Sequence, residues 1–177
     1  MRRTGNALFA VLILLCAANT AHAQLPIHFS ANAGIAAPFS NEKDVYKNGY
    51  HVGVGAKLML VPLEFNASLD HMGENGKFAN QKDLNIASVG ATIPISITPG
   101  LLPVGLYFIA GGGVYKHSAS TTTGGELKGT DFGANGGAGV RVGIPGIASI
   151  FAEGRGVAIF ATGNKLTYIT AAVGIRF

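Results

Sequence analysis

Apolar residues recur at every second position along most of this chain, which is the spacing of β-strands with one apolar and one polar face. The segment 63–71 shows this most clearly, because apolar and polar side chains alternate strictly in it: Leu63, Phe65, Ala67 and Leu69 against Glu64, Asn66, Ser68 and Asp70. The same spacing predicts eight strands, at about 27–36, 50–60, 63–71, 84–95, 104–115, 132–142, 148–159 and 165–177. The fourth and seventh strands have an ambiguous phase, since both of their faces are partly apolar.

The connections between the predicted strands alternate in character. The first, third and fifth are long and polar, over residues 40–48, 73–82 and 117–130. The second, fourth and sixth are short and contain prolines: Pro62, Pro99 with Pro103, and Pro145. A meander with long loops at one end and tight turns at the other is typical of barrels in the bacterial outer membrane. We expect the long loops to be solvated and the 117–130 loop to be mobile.

The first residues predict a secretory signal peptide. Its parts are a basic start, an apolar run and a pair of small residues: Arg2 with Arg3, residues 7–18, and Ala21 with Ala23. The apolar run is too short for a transmembrane helix, which needs about 20 residues. We therefore expect cleavage before Gln24, which removes residues 1–23 and leaves 24–177 as one barrel domain. Cys16, the single cysteine, would leave with the signal peptide, so no disulfide is expected.

Composition points to a membrane protein. The chain is 48% hydrophobic and 12% charged, whereas an ordinary soluble domain has about 25% charged residues. No later segment has the 18 or so consecutive apolar residues of a transmembrane helix, so a closed β-barrel is the remaining way to satisfy the backbone inside a bilayer. The formal charge of +4 becomes +2 without Arg2 and Arg3, and this small excess predicts no nucleic-acid partner.

Three segments carry a family resemblance: 104–115 (VGLYFIAGGGVY), 132–140 (FGANGGAGV) and the C-terminal 168–177 (YITAAVGIRF). The last resembles the outer-membrane assembly signal, a terminal Phe preceded by alternating apolar residues, which here comprises Tyr168, Ile169, Val173, Ile175 and Phe177. Together the segments resemble the small porin-like, opacity-type outer-membrane β-barrel family over about residues 27–177. The resemblance implies an eight-stranded antiparallel up-and-down transmembrane barrel in the outer membrane of a Gram-negative cell. It also implies contact with outer-membrane lipid, and insertion by the assembly machinery through the last strand.

If the apolar faces point outward, a set of charged residues points into the lumen: Lys57, Glu64, Asp70, Arg141, Glu153, Arg155 and Arg176. An eight-stranded barrel is only wide enough to be filled by side chains, so we expect a plugged lumen in which these charges are paired. Inward glycines, among them Gly53, Gly55, Gly133, Gly139 and Gly174, would leave space for larger polar neighbours. The alternative interpretation is a narrow ion path that the same charges select.

Aromatic residues near strand ends predict a thin girdle at the membrane interface, made of Tyr50, Tyr115 and Phe160. Catalysis has little support. Glu64 and Asp70 are six residues apart on one strand, or about 20 Å, which is too far for paired acid and base chemistry. A lipid A-modifying barrel enzyme would need a histidine, a serine and an acid at the rim, and His117 with Ser118 and Ser120 offers only the residue types.

The sequence therefore predicts a non-enzymatic outer-membrane barrel without cofactor or metal, which serves envelope structure or surface recognition. The three long loops would contact an extracellular ligand that their composition does not identify. Three alternatives stay open: the lipid A-modifying enzyme, a narrow passive pore, and a periplasmic lipocalin-like protein. The lipocalin would have the opposite sidedness, with an apolar lumen and a polar outer surface.

Overall fold

A computed structural model describes residues 27–58, 61–75, 81–97, 104–121, 126–144, 148–161 and 164–177. The predicted signal peptide and the turns that contain Pro99, Pro103 and Pro145 lie outside these residues. No helix within the described ranges is long and apolar enough to cross a membrane.

Eight strands form one closed antiparallel barrel. They are β1 (Ile27–Pro38), β2 (Gly49–Leu58), β3 (Leu63–Met72), β4 (Gln81–Ile97), β5 (Val104–Thr121), β6 (Glu126–Ile144), β7 (Ala148–Ala161) and β8 (Asn164–Arg176), with a 3-10 helix at Ser40–Asp44 between β1 and β2. Each strand pairs with the next, and β8 closes the barrel on β1 from Ser30↔Arg176 to Pro38↔Tyr168. The eight-stranded up-and-down barrel predicted from the alternation is confirmed.

The barrel has two unlike ends. We call the end with Leu58, Leu63 and Ile97 the short-turn end, and the end with Pro38, Gly49 and Met72 the long-loop end. The strands are uneven at the long-loop end, because β2 and β3 have 10 residues each whereas β5 has 18 and β6 has 19. A bilayer needs only about 9–11 residues of a tilted strand, so β5 and β6 continue beyond the ends of β2 and β3 as a hairpin, and β4 stays paired with β5 as far as Gln81↔Thr121.

This hairpin corrects the prediction of a loop over residues 117–130. The β5–β6 ladder runs from Lys116↔Thr130 to Ser120↔Glu126, so most of the predicted loop is strand. The polar composition misled the prediction because it reports contact with water, whereas a hydrogen-bonded ladder is also possible when both strand faces are polar. The loop 40–48 likewise has regular structure, in the 3-10 helix and in the bridge between Tyr46 and Glu74.

The apolar face of the barrel wall points outward. Phe65, Val140 and Val173 are 49%, 41% and 64% exposed, whereas Glu64, Asp70 and Arg176 are all buried in the lumen. This sidedness agrees with a barrel surrounded by lipid and is the reverse of a lipocalin.

The structure also resolves the two ambiguous phases. On β4 the odd-numbered residues face outward, with Val89, Ile93 and Ile95 exposed, while Leu84 and Ile86 are buried inside. On β7 the even-numbered residues face outward, and Val157 and Ile159 are buried inside. Both phases were ambiguous because these four inward apolar residues lie near the long-loop end, where the lumen itself is apolar.

Inward glycines lie against larger side chains on neighbouring strands. Three of them face aromatic rings: Gly139 faces Tyr107, Gly174 faces Phe151 and Gly133 faces Tyr115. A Cβ on any of the three would collide with the ring, since even the widest of these contacts is 2.7 Å. Gly53 and Gly55 instead face the polar side chains of Asn32 and Ser30, as predicted. The glycines thus make space for aromatic as well as polar neighbours.

Candidate functional site

The lumen near the short-turn end contains a buried ion pair. The Nη2 of Arg176 donates to both carboxylate oxygens of Glu64, at 3.0 and 2.7 Å. The Ser30 hydroxyl donates to the same carboxylate at 3.3 Å, and the Arg176 guanidinium lies 5.6 Å from the centre of the Phe151 ring. Lys57 is the direct cross-strand neighbour of Glu64. We call these residues, with Arg141, the ionic layer.

Glu153 forms a second charged contact beside the ionic layer. Its carboxylate accepts a hydrogen bond from the Tyr107 hydroxyl at 3.0 Å and pairs with the Arg155 guanidinium. Glu153 and Arg155 are two residues apart on β7, so their side chains leave the strand on the same face and meet inside. The hydroxyl of the buried Tyr107 side chain therefore has a charged hydrogen-bond acceptor.

A polar layer follows at mid-height, centred on Asp70. Its carboxylate is 2.6 Å from Nδ1 of His51 and accepts hydrogen bonds from the Tyr168 hydroxyl at 3.0 Å and the Ser68 hydroxyl at 3.1 Å. The other ring nitrogen of His51, Nε2, is 3.0 Å from Oδ1 of Asn32. Because Asp70 is 3% exposed, these contacts satisfy a carboxylate that would otherwise be buried without partners.

An apolar plug closes the long-loop end of the lumen. Its members are buried side chains from six strands and the first loop: Ala36, Tyr46, Met72, Leu84, Ile86, Tyr115, Ala119, Val157, Ile159 and Tyr168. Tyr46 comes from the loop after the 3-10 helix, and burial together with the Glu42 carboxylate raises the pKa of its hydroxyl. The phenol is therefore neutral at physiological pH, as suits a side chain in an apolar cluster.

Between the plug and the ionic layer the lumen has a cavity of about 30 Å3, bordered by polar side chains that include His51, Asp70, Asn135 and Arg155. One water needs about 10–15 Å3 of such space, so the cavity has room for about two water molecules. Asn135 donates from Nδ2 to the Tyr115 hydroxyl at 3.1 Å. Side chains thus occupy the lumen at the heights of the ionic layer, the polar layer and the plug.

The structure brings the seven predicted lumen charges to the inside in three groups. Glu64 and Arg176 pair within the ionic layer, Glu153 pairs with Arg155, and Asp70 is held by neutral or titratable partners. The sequence analysis missed the partners of Asp70. The inward direction of one partner, His51, could have been predicted, because it lies an even number of residues from Lys57 on β2 and therefore points to the same side of the strand.

The assembly-signal residues divide between two faces. Ile169, Val173 and Ile175 are exposed on the outer wall, whereas Tyr168 is 2% exposed and bonded to Asp70 inside the lumen. Tyr168 has the opposite parity to the other three and therefore points inward. Phe177 is half-buried, and its backbone exchanges two hydrogen bonds of 2.9 Å with Phe29 of β1.

The predicted aromatic girdle is partly wrong. Tyr50 and Phe160 are both 56% exposed on the outer wall, but Tyr115 is 4% exposed and belongs to the plug. Tyr115 lies an odd number of residues from the outward Phe108, so it points to the other face of β5. Tyr50 also stacks on His71 of β3, with ring centroids 4.9 Å apart.

The rim histidine of the enzyme hypothesis has an acid partner, Ser118 points away from it, and the side chain of Ser120 lies outside the described part of the chain. Nε2 of His117 is 2.9 Å from Oδ2 of Asp131, inside the hairpin. Ser118 follows directly on the same strand and therefore points to the opposite face. Within the described ranges, no three His, Cys, Asp or Glu side chains come together as a metal site would require.

Comparison with known families agrees with this architecture. Residues 7–177 match the family described as the outer membrane protein beta-barrel domain. The chain belongs to this family. Its apolar outer wall is therefore the surface that an outer-membrane β-barrel presents to lipid, and its location is the outer membrane. No curated protein matches the sequence.

Solved outer-membrane barrels have the same fold at low sequence identity. Neisserial surface protein A is 16% identical, with a TM-score of 0.63 over 85% of this chain and 96% of that chain. The N-terminal β-barrel domain of OprF from Pseudomonas aeruginosa is 16% identical, with a TM-score of 0.53 over 86% and 98%. Ail, the attachment invasion locus protein of Yersinia pestis, is 18% identical, with a TM-score of 0.51 over 85% and 98%.

Proposed function

We propose that this outer-membrane barrel is a non-conducting, non-enzymatic surface protein whose long-loop end recognises an extracellular partner. One observation carries the proposal: the lumen is closed by side chains while the longest strands continue beyond the ends of β2 and β3. The molecule therefore offers a recognition surface outside the barrel rather than a path through it. Ail, the attachment invasion locus protein, has the same fold.

The closed lumen supports the absence of conduction. An ion moving along the axis would meet the Glu64–Arg176 pair, the Asp70 contacts and the apolar plug in succession. Each is a packed layer of side chains, and the intervening cavity of about 30 Å3 holds only about two waters. We therefore expect no ion current through the folded barrel.

The projecting hairpin supports a recognition role. β7 pairs with β6 only from Gly133 onward, so within the described residues the stretch 126–132 pairs on one side only, with β5. Its other edge is not paired with β7, and a strand edge of this kind can bind an extended segment of another chain. The Lys128 side chain is exposed and Asp131 half-buried on this edge, where such charges limit unspecific pairing.

The experiment compares the full chain with a shortened variant in which residues 120–126 are replaced by Asn-Gly, which keeps Ala119 of the plug and its pairing with Leu84. That dipeptide suits a two-residue hairpin turn, and Ala119 and Leu127 already face each other across the ladder. We expect cells that display the full chain to adhere to immobilised matrix or serum proteins, and cells with the shortened chain to lose that adhesion. Heat-modifiable gel mobility and membrane fractionation verify that both chains are folded in the outer membrane.

Three results would overturn the proposal. Single-channel current through the purified full chain would show that the lumen conducts. A lipid A mass spectrum that changes when the gene is deleted, and is restored by the wild type but not by His117→Ala, would show an enzyme. Equal adhesion by cells with the full and the shortened chain would show that the hairpin has no part in recognition.

A further inference from the structure

A groove of about 620 Å3 lies outside the lumen at the long-loop end, between β1, the first loop and β8. Its volume lies within the range of small-molecule sites, about 300–1,000 Å3. The lower wall is apolar and includes Phe39 and Ile169, which are 48% and 41% exposed. The upper wall is polar and includes Lys43, Lys47 and Asn48. One groove thus combines an oily wall with two ammonium groups.

The two lysines are available for a ligand. Both are exposed, and neither has an ion-pair partner among the residues that the structure describes. Nζ of Lys43 lies 5.3 Å from the centre of the Phe39 ring, which places this ammonium above the apolar wall. Exposed lysines with carboxylate partners would contribute less attraction for an anion, because the two charges would cancel.

The Glu42 carboxylate beside the groove is occupied by hydrogen bonds to β8. Glu42 accepts hydrogen bonds from the backbone N–H of Thr167 at 3.3 Å and from its hydroxyl at 3.2 Å, so it is fixed on β8. No Asp or Glu borders the groove in the described ranges. The charged side chains that line the groove are therefore both cationic, and the carboxylates of Glu42, Asp44 and Glu74 flank it outside the lining.

The backbone that carries the lysines is held in place before any ligand arrives. The N–H of Lys47 donates to the Gly73 carbonyl at 2.7 Å, and the N–H of Asn75 donates to the Val45 carbonyl at 2.9 Å. The side chain of Asn75 also donates to the Lys43 carbonyl at 2.9 Å. A fixed loop loses little entropy on binding, which favours affinity.

The position of the groove relative to the bilayer decides what can fill it. Ile169 continues downward into the exposed apolar residues Ile35 and Val173 of the outer wall. Among the lysines whose side chains the structure describes, all except Lys57 lie at the long-loop end: Lys43, Lys47, Lys116, Lys128 and Lys165. The outer wall at the short-turn end presents apolar residues such as Ile95, Ile97 and Ile150. The described lysines are thus concentrated at one membrane interface, where five described carboxylates also lie: Glu42, Asp44, Glu74, Asp83 and Asp131.

We infer that this groove binds a phosphorylated glycolipid of the outer leaflet, with the phosphate on Lys43 and Lys47 and an acyl chain along Ile169. A free anion would use the ammonium groups alone and leave the apolar wall wet. A neutral lipid would cover the wall and leave two charges without partners. A lipid with an anionic headgroup satisfies both halves of the groove.

The test measures retention of bisphosphorylated lipid A on the purified full chain in neutral detergent, by native mass spectrometry. The variants are Lys43→Gln, Lys47→Gln and the double variant. A juxtamembrane lysine contributes enough attraction for about a fivefold change in affinity, so both together predict about a thirtyfold loss. Lys116→Gln is the matched control, because it removes one exposed lysine from a different part of the rim. The double Lys→Arg variant keeps the charge and should retain the lipid.

Two further ligands show which part of lipid A the groove recognises. Dephosphorylated lipid A, which has the same acyl chains, should bind the wild type about as weakly as lipid A binds the double Gln variant. Inorganic phosphate at matched ionic strength should not displace lipid A. The inference is overturned if dephosphorylated lipid A binds equally well, if free phosphate competes, or if Lys116→Gln weakens binding as much as either groove variant. Heat-modifiable mobility verifies that every variant is folded.

Discussion

Replacing Glu64 by Gln removes the carboxylate around which the ionic layer is built. In the wild type, Lys57, Arg141 and Arg176 share this region of the lumen with Glu64. The variant leaves three cations without that anion. The reverse change, Arg176→Gln, leaves Glu64 beside Lys57, its direct cross-strand neighbour. The two halves of one ion pair should therefore differ in their effect on stability.

The magnitudes follow from burial and hydrogen bonding. Glu64 is 5% exposed and Arg176 is 8% exposed, and removing one partner of a buried pair destabilises a protein by about 3–5 kcal/mol. We expect Glu64→Gln to lower the free energy of unfolding by about 3 kcal/mol, roughly a hundredfold in the equilibrium constant. Arg176→Gln should lower it by only about 1–2 kcal/mol, since it loses charged hydrogen bonds without leaving an isolated ion. Adding Arg176→Gln to Glu64→Gln should cause little further loss.

The assay is urea unfolding of the full chain in lipid vesicles, with the folded fraction read from the heat-modifiable gel band. This readout suits a chain that has no tryptophan for fluorescence. Glu74→Gln is the control, because it neutralises an exposed loop carboxylate and should change the free energy by less than about 0.5 kcal/mol. Equal losses for Glu64→Gln and Arg176→Gln would refute the argument from the surplus of cations. A loss at Glu64 no larger than at Glu74 would refute the buried ion pair itself.

Three further predictions concern packing and sidedness. Gly139→Ala places a Cβ against the Tyr107 ring and should destabilise by about 1–3 kcal/mol in the same assay, whereas Gly154→Ala, whose nearest contact is 3.9 Å, should be tolerated. Tyr168→Phe removes a buried hydrogen bond to a carboxylate and should destabilise by about 1.5–3 kcal/mol; an unchanged unfolding midpoint would contradict that bond. Val173→Arg on the outer wall should destabilise by about 2–4 kcal/mol in a bilayer, with a much smaller effect in detergent, and equal effects in both would contradict lipid contact.

The alternation of apolar and polar residues was sufficient to predict the strands and the sidedness of the wall. Lipid requires an apolar outer face and a narrow lumen accepts polar side chains, so Phe65 and Glu64 differ in chemistry as they differ in direction. The alternation was insufficient at the plug, where the lumen is as apolar as the lipid. Leu84 and Ile86 belong to the plug, and an apolar residue on either side of the wall gives the same pattern. Only the fold shows that apolar side chains close this end.

Pairing inside the lumen could not be predicted because it depends on closure. Glu64 and Arg176 are 112 residues apart in the chain, and they meet only after β8 joins β1. Tyr115 was different, because its parity relative to Phe108 contained the signal that it points inward. The error there was to weigh the aromatic character of the residue above its position on the strand. The groove with Lys43 and Lys47 had no sequence signal, since it depends on a fixed loop beside β8.

The last strand supplies partners to acids on distant elements. Thr167 donates to Glu42, Tyr168 to Asp70 and Arg176 to Glu64, and these contacts span β8 from one end to the other. A seven-stranded precursor would hold all three carboxylates without these donors. Docking of β8 therefore supplies hydrogen-bond donors to three carboxylates in one step, and Arg176 also neutralises the charge of Glu64. A truncated or mispaired C-terminal strand would leave these acids without their β8 donors, so burial of the carboxylates would cost more in the incomplete precursor than in the finished barrel.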